Sequence, residues 1–264
     1  MSRTSGSLAA SGVLVLAVLA FAVPGPPPAQ DQIQKARIFD ETYQLINETD
    51  LNCSFYMHEE GKLLPDIRIV GGERMNEKSI FSDGDLIYID KGAADGLEIG
   101  QLFLTLGLRD KVDKLGTVME RHGRARIVRL EDHLASAKVE KSCGTVKIGD
   151  FLLPYEEEPG EIGKDEGFGD LDPNATRKGR VVYIEHGFQI SGTGQWALID
   201  MGRQQCVQIG DQLNVFHRPR PDLPRHAVAS AIVIDVRGAT STIKILSARD
   251  VVDIGSEVQM TVAR

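Results

Sequence analysis

Cysteine and aromatic residues are scarce in this sequence. Its 264 residues include three cysteines and one tryptophan, and aromatic residues make up 6%. No C-x-x-C pair and no Cys/His spacing typical of a zinc site occurs, so we expect neither a metal nor another cofactor. Basic residues are outnumbered, because 30 Lys and Arg stand against 38 Asp and Glu and leave a net charge of −8. This balance argues against nucleic acid as a partner.

Long apolar runs are missing except near the N-terminus. There, Arg3 precedes an apolar run at 12–23, GVLVLAVLAFAV, which ends in an AFA cleavage motif at 20–22. This order is typical of a secretory signal peptide, and the run is shorter than the roughly 20 residues that a membrane-spanning helix needs. We predict that residues 1–29 are a signal peptide and a Pro-rich spacer. The protein would then be exported to the periplasm or the extracellular space, or stay membrane-associated if the signal is not cleaved.

An oxidising compartment permits one disulfide among the three cysteines, Cys53, Cys143 and Cys206. We favour a bond between Cys53 and Cys143, because it would tie the N-terminal segment to the domain that follows. Three separate thiols are the alternative.

Helical periodicity is nearly absent after Pro65. The one helical candidate is 31–47, where apolar residues recur at steps of three and four and Asp31 can cap the N-terminus. We therefore predict a helical or irregular segment at 30–66, which packs on the following domain or serves as a stalk.

One short pattern occurs four times and reveals an internal repeat. Its form is apolar-x-Ile-Gly-polar-x-apolar, and each copy is termed a glycine box. The copies are LEIGQLF at 97–103, VKIGDFL at 146–152, VQIGDQL at 207–213 and VDIGSEV at 252–258. The surrounding sequence repeats too: 84–103 aligns with 194–213 at an offset of 110 residues, and 123–152 aligns with 229–258 at an offset of 106. The chain thus contains two copies of one module, at 67–154 and 179–264.

The glycine boxes predict sharp turns between buried strands. Glycine adopts positive φ without steric cost, and a following Asp can accept backbone N–H groups across the turn. Short β-rich runs punctuated by glycine at intervals of about 8 to 12 residues indicate a barrel or sandwich. We therefore predict an all-β fold with two homologous small β-barrels in tandem. The expected structural turn residues are Gly100, Gly149, Asp150, Gly210, Asp211 and Gly255, and Asp90 and Asp200 are expected to cap turns.

The glycine boxes resemble the Gly-Asp box of the small cradle-loop β-barrels, which also have two boxes per barrel. Gly149-Asp150 and Gly210-Asp211 keep the Asp, whereas Gln101 and Ser256 replace it in the other boxes. The tandem arrangement is also similar to the barrel modules at the C-terminal ends of secreted bacterial LysM-containing proteins and to the C-terminal domain of flagellar assembly protein T. No LysM repeat is found in this sequence. The resemblance implies small β-barrels in a bacterial envelope protein.

An acidic linker separates the two modules at 155–178. Residues 155–172 contain eight acidic residues and one Lys. We expect an extended, solvated and flexible hinge, since such a composition cannot build a core. A calcium loop is the alternative, but the EF-hand spacing and its closing Glu are missing.

The segment DIRIVGGE at 66–73 reads like the activation site of a trypsin-like protease. It corresponds to 180–185 in the second module, which makes it the opening strand of the first barrel. No histidine lies in an Ala-His-Cys context and no serine in a Gly-Asp-Ser-Gly context. The sequence therefore argues against a serine protease.

A basic, Pro-rich loop at 216–226 is the best candidate for a partner surface, because loops on rigid scaffolds often carry function. The matching charged segment of the first module is 109–124. The candidate partner-binding residues from the two segments are Arg218, Arg220, Arg225, Arg109 and Lys111.

Other residue types have structural interpretations. Trp196 aligns with Leu86, so we assign it to a core rather than to a sugar-binding platform. The two histidine pairs provide too few ligands for a metal site. These pairs are His122 with His133 and His217 with His226.

Together, these features predict a non-enzymatic cell-envelope protein, a tandem β-barrel scaffold that binds an envelope protein. A module that binds peptidoglycan, another cell-wall glycan or a small ligand is the first alternative. An enzyme of unrecognised type is the second, weakened because no nucleophile–base pair occurs in a coherent neighbourhood.

Overall fold

The computed structural model describes residues 42–73, 76, 78–157, 159–218, 220 and 222–261. The predicted signal peptide and most of the predicted N-terminal helix lie outside these residues. The described part of the chain is all-β with one short α-helix, and it contains two closed six-stranded barrels, as predicted. None of its helices is long and apolar enough to cross a membrane.

The elements follow one another in two similar series. In chain order they are β1 (Tyr43–Ile46), α1 (Glu48–Cys53), β2 (Phe55–Glu59), β3 (Ile67–Gly72), β4 (Ile80–Phe81), β5 (Leu86–Ile89), β6 (Leu102–Val112), β7 (Gly116–Leu130), β8 (Ala135–Ser142), β9 (Val146–Lys147), β10 (Phe151–Pro154), β11 (Glu161–Gly163), β12 (Lys178–Ile184), β13 (Ile190–Ser191), β14 (Trp196–Ile199), β15 (Gln212–His217), β16 (His226–Val236), β17 (Ser241–Ala248), β18 (Val252–Asp253) and β19 (Glu257–Met260).

The two barrels have the same topology. In barrel 1 the strands pair antiparallel in the order β3–β5–β8–β7–β6–β10, and β10 returns to β3. In barrel 2 the order is β12–β14–β17–β16–β15–β19, and β19 returns to β12. The small ribbons β4–β9 and β13–β18 also match. Every pairing of one barrel thus recurs in the other, as a duplicated module requires.

Each barrel is filled by alternate residues of its strands. Ile87 and Ile89 of β5 are fully buried in barrel 1, and Ala197 and Ile199 hold the same positions of β14 in barrel 2. Alternation places these side chains inside, because successive residues of a strand point to opposite faces. Burial of one isoleucine side chain stabilises the fold by about 1.5–3 kcal/mol.

All four glycine boxes form the predicted turn. Their glycines have φ between 87° and 93°: Gly100, Gly149, Gly210 and Gly255. The residue after each glycine donates its N–H to the carbonyl three residues earlier, which closes a β-turn with glycine where positive φ is required. The side chain of that residue accepts the N–H of the same earlier residue. The distances are 3.0 Å for Asp150 and Asp211, 3.3 Å for Gln101 and 3.4 Å for Ser256. Gln and Ser therefore keep the bond that Asp makes, at greater length.

Asp90 and Asp200 fix the opening strand of each barrel. Asp90 Oδ1 accepts the backbone N–H of Arg68 at 2.8 Å, and Asp200 Oδ1 accepts that of Arg180 at 2.5 Å. These equivalent bonds are structural, but they join neighbouring strands 20 and 22 residues apart in the chain rather than cap a turn. They also place the trypsin-like motif within β3, the opening strand of barrel 1.

The N-terminal segment differs from the predicted helix. Tyr43–Ile46, at the end of that prediction, is strand β1 and pairs with β11, while the helix α1 begins only at Glu48. Asn47 and Asp50 cap α1 reciprocally, each side chain accepting the other residue's backbone N–H. Leu45 and Ile46 are buried with Ile234 and other residues of barrel 2, so tertiary contacts override the helical pattern.

Strand β2 joins the two barrels. It extends barrel 1 by pairing with β7, and its Phe55 and Met57 pack against Tyr183 and Leu198 of barrel 2. Thr242 of barrel 2 donates its hydroxyl to the carbonyl of Phe55 at 2.6 Å. The barrels therefore share a continuous interface built around the N-terminal segment.

The predicted disulfide is present. Cys53, the last residue of α1, is bonded to Cys143, with their Cα atoms 5.3 Å apart. Cys206 is an exposed free thiol. The bond ties α1 to barrel 1, which is the link between the N-terminal segment and the following domain that we expected.

The acidic linker is not the solvated hinge that its composition predicts. Its β11 pairs with β1, and Asp165 is fully buried against barrel 2. The Asp165 carboxylate accepts hydrogen bonds from the hydroxyls of Ser230 at 2.9 Å and Ser247 at 2.7 Å. A buried carboxylate requires such donors. The two serines lie on β16 and β17, far from the linker in sequence, so the composition of the linker alone could not predict this contact.

Candidate functional site

Two of the predicted partner-binding residues meet at one cavity of barrel 2. Arg218 and Arg225, at the two ends of the β15–β16 connection, line a cavity of about 450 Å³ together with Arg180 of β12. The remaining lining includes Phe216, His217, Asp253, Ile254 and Glu257. Arg220 does not line it and pairs instead with Asp222 at 3.1 Å. This space is termed the basic cavity.

Carboxylates hold part of the basic cavity in place. Glu257 pairs with Arg225 at 2.5 Å, and Asp253 accepts from His217 Nδ1 at 3.2 Å. Arg180 is exposed on β12. Arg225 is therefore already paired, whereas the planar guanidinium of exposed Arg180 suits a carboxylate.

Exposed apolar side chains adjoin the basic cavity. Ile254 lines it. Ile190 of β13 pairs with Asp253, the residue that precedes Ile254 in the chain. Phe188, two residues before Ile190, is also exposed. Cationic and apolar groups thus share one end of barrel 2.

The equivalent place in barrel 1 is filled. Phe151 stands where barrel 2 has Glu257, and the guanidinium of Arg68 stacks on its ring at 4.4 Å. Gly107 stands where barrel 2 has His217. The His122 ring occupies the space above this glycine, since a Cβ added to Gly107 would lie 2.2 Å from His122 Cε1. At these equivalent positions, side chains fill the space in barrel 1, whereas barrel 2 has an open cavity.

Arg109 and Lys111 do not join the basic cavity. The predicted loop at 109–124 is largely the hairpin of β6 and β7, lengthened by its pairing with β2. Arg109 pairs with Glu120 at 3.4 Å, and Lys111 lies 3.8 Å from Glu60. Arg109 and Lys111 lie on barrel 1, at the β6–β7 hairpin that corresponds to the β15–β16 connection of barrel 2, and their role in partner binding stays a prediction.

A second cavity, of about 310 Å³, lies between the barrels. Its walls include Phe55, Trp196, the disulfide, Glu120, Arg121, His122, Lys141, Glu185 and His186. Trp196 is only half-buried, and its indole N–H donates to Asp50 at 2.9 Å. This space is termed the interbarrel cavity.

His122 carries a positive charge beside this cavity. Its Nδ1 donates to the buried carboxylate of Asp150 at 2.8 Å, and its Nε2 lies 3.8 Å from Glu120. Burial alone would lower the pKa of His122, but the hydrogen bonds and charges of the two carboxylates raise it to about 9. Asp150 is thus both a box residue and the partner of a charged histidine.

The pKa values of two glutamates of the cavity are shifted in opposite directions. The nearby His122 imidazole, helped by the charge of Arg109, holds the pKa of Glu120 below its usual range. Burial raises the pKa of Glu185. His186 lies between them, with Nδ1 3.5 Å from Glu120 and Nε2 3.5 Å from Glu185.

No sequence pattern pointed to the interbarrel cavity. Glu120 and His122 come from β7 of barrel 1, whereas Glu185 and His186 follow β12 of barrel 2. His133, the partner first considered for His122, lies instead beside Asp95. Among the described residues, no group of three or more His, Cys, Asp or Glu is arranged to hold a metal ion.

Comparison with known proteins assigns no family. No protein-family model matches this chain, and no curated protein is significantly similar to it.

Proposed function

We propose that the protein is an exported, non-enzymatic envelope scaffold whose tandem barrels bind a protein partner through the basic cavity. The observation that carries the proposal is the difference between the barrels at equivalent positions. Barrel 1 fills the place with Phe151 and His122, whereas barrel 2 keeps it open and lines it with arginines. Folding does not require the open form, since barrel 1 is closed there.

The chemistry of the basic cavity suits an acidic segment with an apolar side chain. Exposed Arg180 offers a guanidinium group to a carboxylate, Arg218 adds positive charge, and Ile254 offers an apolar contact. Arginines that pair in partly enclosed pockets are frequent hot spots of protein interfaces. Export is supported by the disulfide, because such bonds persist in oxidising compartments.

Crosslinking tests this proposal. The tagged protein is expressed in its native host, crosslinked mildly and isolated with its neighbours. We expect a reproducible partner with the wild type and at least about tenfold less of it with Arg180→Ala/Arg218→Ala, since two charge-assisted contacts are lost.

The matched control is Arg68→Ala/Arg129→Ala, which removes the same charge from exposed positions of barrel 1. This variant should retain the partner. Equal losses in both variants would reduce the effect to net charge, and unchanged capture in the barrel 2 variant would remove the basic cavity as the binding surface.

Binding of a small ligand or a glycan is the second candidate function, favoured by the interbarrel cavity with its half-buried Trp196. Retention of the purified protein on isolated peptidoglycan would support the glycan form. Absence of retention, together with a captured protein partner, would leave the scaffold as the function.

A further inference from the structure

The interbarrel cavity contains an acceptor and a donor that lack hydrogen bonds. Glu120 Oε1 is buried and makes none, although its other oxygen faces Arg109 and His122. Arg121 is about nine-tenths buried, and its Nε makes none either. Unpaired buried polar groups cost about 1–3 kcal/mol each, more when they are charged. Both residues line the same cavity.

The hydrogen bonds of Arg121 hold its guanidinium between the barrels. Nη1 donates to Ser54 Oγ at 2.5 Å, and Nη2 donates to Asp235 at 2.5 Å. Nε is the guanidinium nitrogen that makes no hydrogen bond. The register of β7 shifts against β6 between Arg121 and Gly123, and Glu120, Arg121 and His122 all line the cavity.

His186 covers the unpaired oxygen of Glu120. Its ring lies 3.5 Å from Glu120 Oε1 without a hydrogen bond, and its side chain is 53% exposed. The backbone of His186 has φ 57° and ψ 16°, the left-handed region that is unfavourable for side chains other than glycine. Because the imidazole is half-exposed, a ligand can displace it from this wall without disturbing a buried side chain.

We propose that the interbarrel cavity binds a small zwitterion of the size of one amino acid. The ligand ammonium replaces the His186 ring at Glu120 Oε1, and the ligand carboxylate approaches Arg121 Nε and Lys141. Its side chain lies against Phe55, Trp196 and the disulfide. A volume of about 310 Å³ accommodates such a molecule. The acceptor and the donor without hydrogen bonds belong to oppositely charged groups, which favours a zwitterion because charge-assisted hydrogen bonds are about twice as strong as neutral ones.

The charges around the cavity fit this ligand. The desolvated carboxyl of Glu185, on the other side of His186, adds a second acceptor for the ammonium. Within the described part of the chain, Lys141 donates to the neutral hydroxyl of Thr49 at 3.2 Å and pairs with no carboxylate. This site is separate from the basic cavity, so the inference does not depend on the scaffold proposal.

Fluorescence titration of the full chain tests the inference, because Trp196 is the single tryptophan and lines the cavity. The probes are L-leucine and L-phenylalanine. Two analogues of leucine each lack one charge: 3-methylbutylamine has no carboxylate and 4-methylpentanoate has no ammonium. N-acetylglucosamine serves as the neutral polyol. We expect a saturable signal with at least one amino acid and at least about tenfold weaker binding of either analogue.

Variants identify the groups involved. Glu120→Gln keeps the side-chain shape and should weaken amino-acid binding about tenfold, whereas Glu140→Gln, a carboxylate of barrel 1 outside the cavity, should not change it. His186→Gly removes the covering ring and the backbone strain, so binding should tighten several-fold. His186→Asn, which tolerates the left-handed conformation, serves if the glycine variant does not fold.

Three results would overturn the inference. The first is no titration signal from either amino acid in the wild type and His186→Gly. The second is binding of N-acetylglucosamine or of one analogue as tight as that of the amino acid. The third is amino-acid binding that Glu120→Gln leaves unchanged.

Discussion

At the scale of single residues, His122 couples stability to alkaline pH. Its pKa is raised from 6.5 to about 9 in the folded protein, so its stabilising charge is fully present below pH 6.5 and is lost as pH rises through 9. The full shift corresponds to on the order of 3 kcal/mol. We expect the urea midpoint to fall from pH 6.5 to pH 9.5 in the wild type, and to fall much less in His122→Gln.

The control for this prediction is His133→Gln, because His133 is an exposed histidine of the same barrel. This variant should follow the wild type across the pH range. An identical pH profile in His122→Gln and the wild type would mean that the Asp150–His122 pair does not carry the dependence.

A second prediction at this scale compares equivalent turns of the two barrels. Gly96 has φ 86°, and the same position of barrel 2 is Cys206 with φ 59°. Cys206→Gly should stabilise the protein by about 1 kcal/mol, because glycine adopts this conformation without steric cost. Gly96→Ala should destabilise it by a similar amount, and an added Cβ there meets no atom within 4 Å, so that only the backbone is tested. Urea unfolding measures the change in the free energy of unfolding for both variants. A lower free energy of unfolding in Cys206→Gly than in the wild type would contradict this prediction.

At the scale of elements, the barrels could be predicted because their turns are encoded locally. Each glycine box contains its own glycine, its own side-chain acceptor and its own buried flanks, so four copies in one sequence suffice. Strands β1, β2 and β11 could not be predicted in this way. Leu45 is buried in a cluster that includes Ile234 of barrel 2, and buried Asp165 accepts hydrogen bonds from Ser230 and Ser247 of barrel 2.

The residues of the two cavities differ in the same way in how far the sequence predicts them. Arg218 and Arg225 were found because they lie in one loop, whereas Glu120 and Glu185 meet only after both barrels have folded and docked. Residues that are distant in the chain and carry no shared motif leave no local signal. The internal repeat could have pointed to the basic cavity only through differences between the two modules, such as Gly107 in barrel 1 at the position of His217 in barrel 2.

The disulfide tests how far the N-terminal elements depend on a covalent bond. It closes a separation of 90 residues, for which removal costs about 2–5 kcal/mol. Cys53→Ala/Cys143→Ala should lower the free energy of unfolding by that amount and raise amide exchange in α1 more than in β14. Cys206→Ala is the matched control and should be nearly neutral, because this thiol is free and exposed. Uniform exchange throughout the double variant would show that α1 is not held mainly by the bond.

At the scale of the whole molecule, the two barrels are one structural unit rather than two modules on a hinge. The N-terminal segment contributes to hydrophobic clusters with both barrels. The linker pairs with β1 of that segment through β11 and is bound to barrel 2 through Asp165. The interbarrel cavity exists only because of this docking. A partner at the basic cavity and a ligand between the barrels would therefore act on the same compact unit.

The buried ion pair across the interface gives the sharpest test of that unity. Asp235 of barrel 2 accepts from Arg121 of barrel 1 at 2.5 Å and from Arg237 at 2.7 and 2.9 Å. Asp235→Ala leaves Arg121 buried without its partner, which costs about 3–5 kcal/mol. Asp222→Ala, which removes the partner of exposed Arg220, should cost less than about 1 kcal/mol. If the barrels fold as one unit, the wild type unfolds in a single calorimetric transition and Asp235→Ala shifts that whole transition. If Asp235→Ala moved only one of two transitions, the barrels would be independent domains, and the interbarrel cavity would be a loose contact rather than a site.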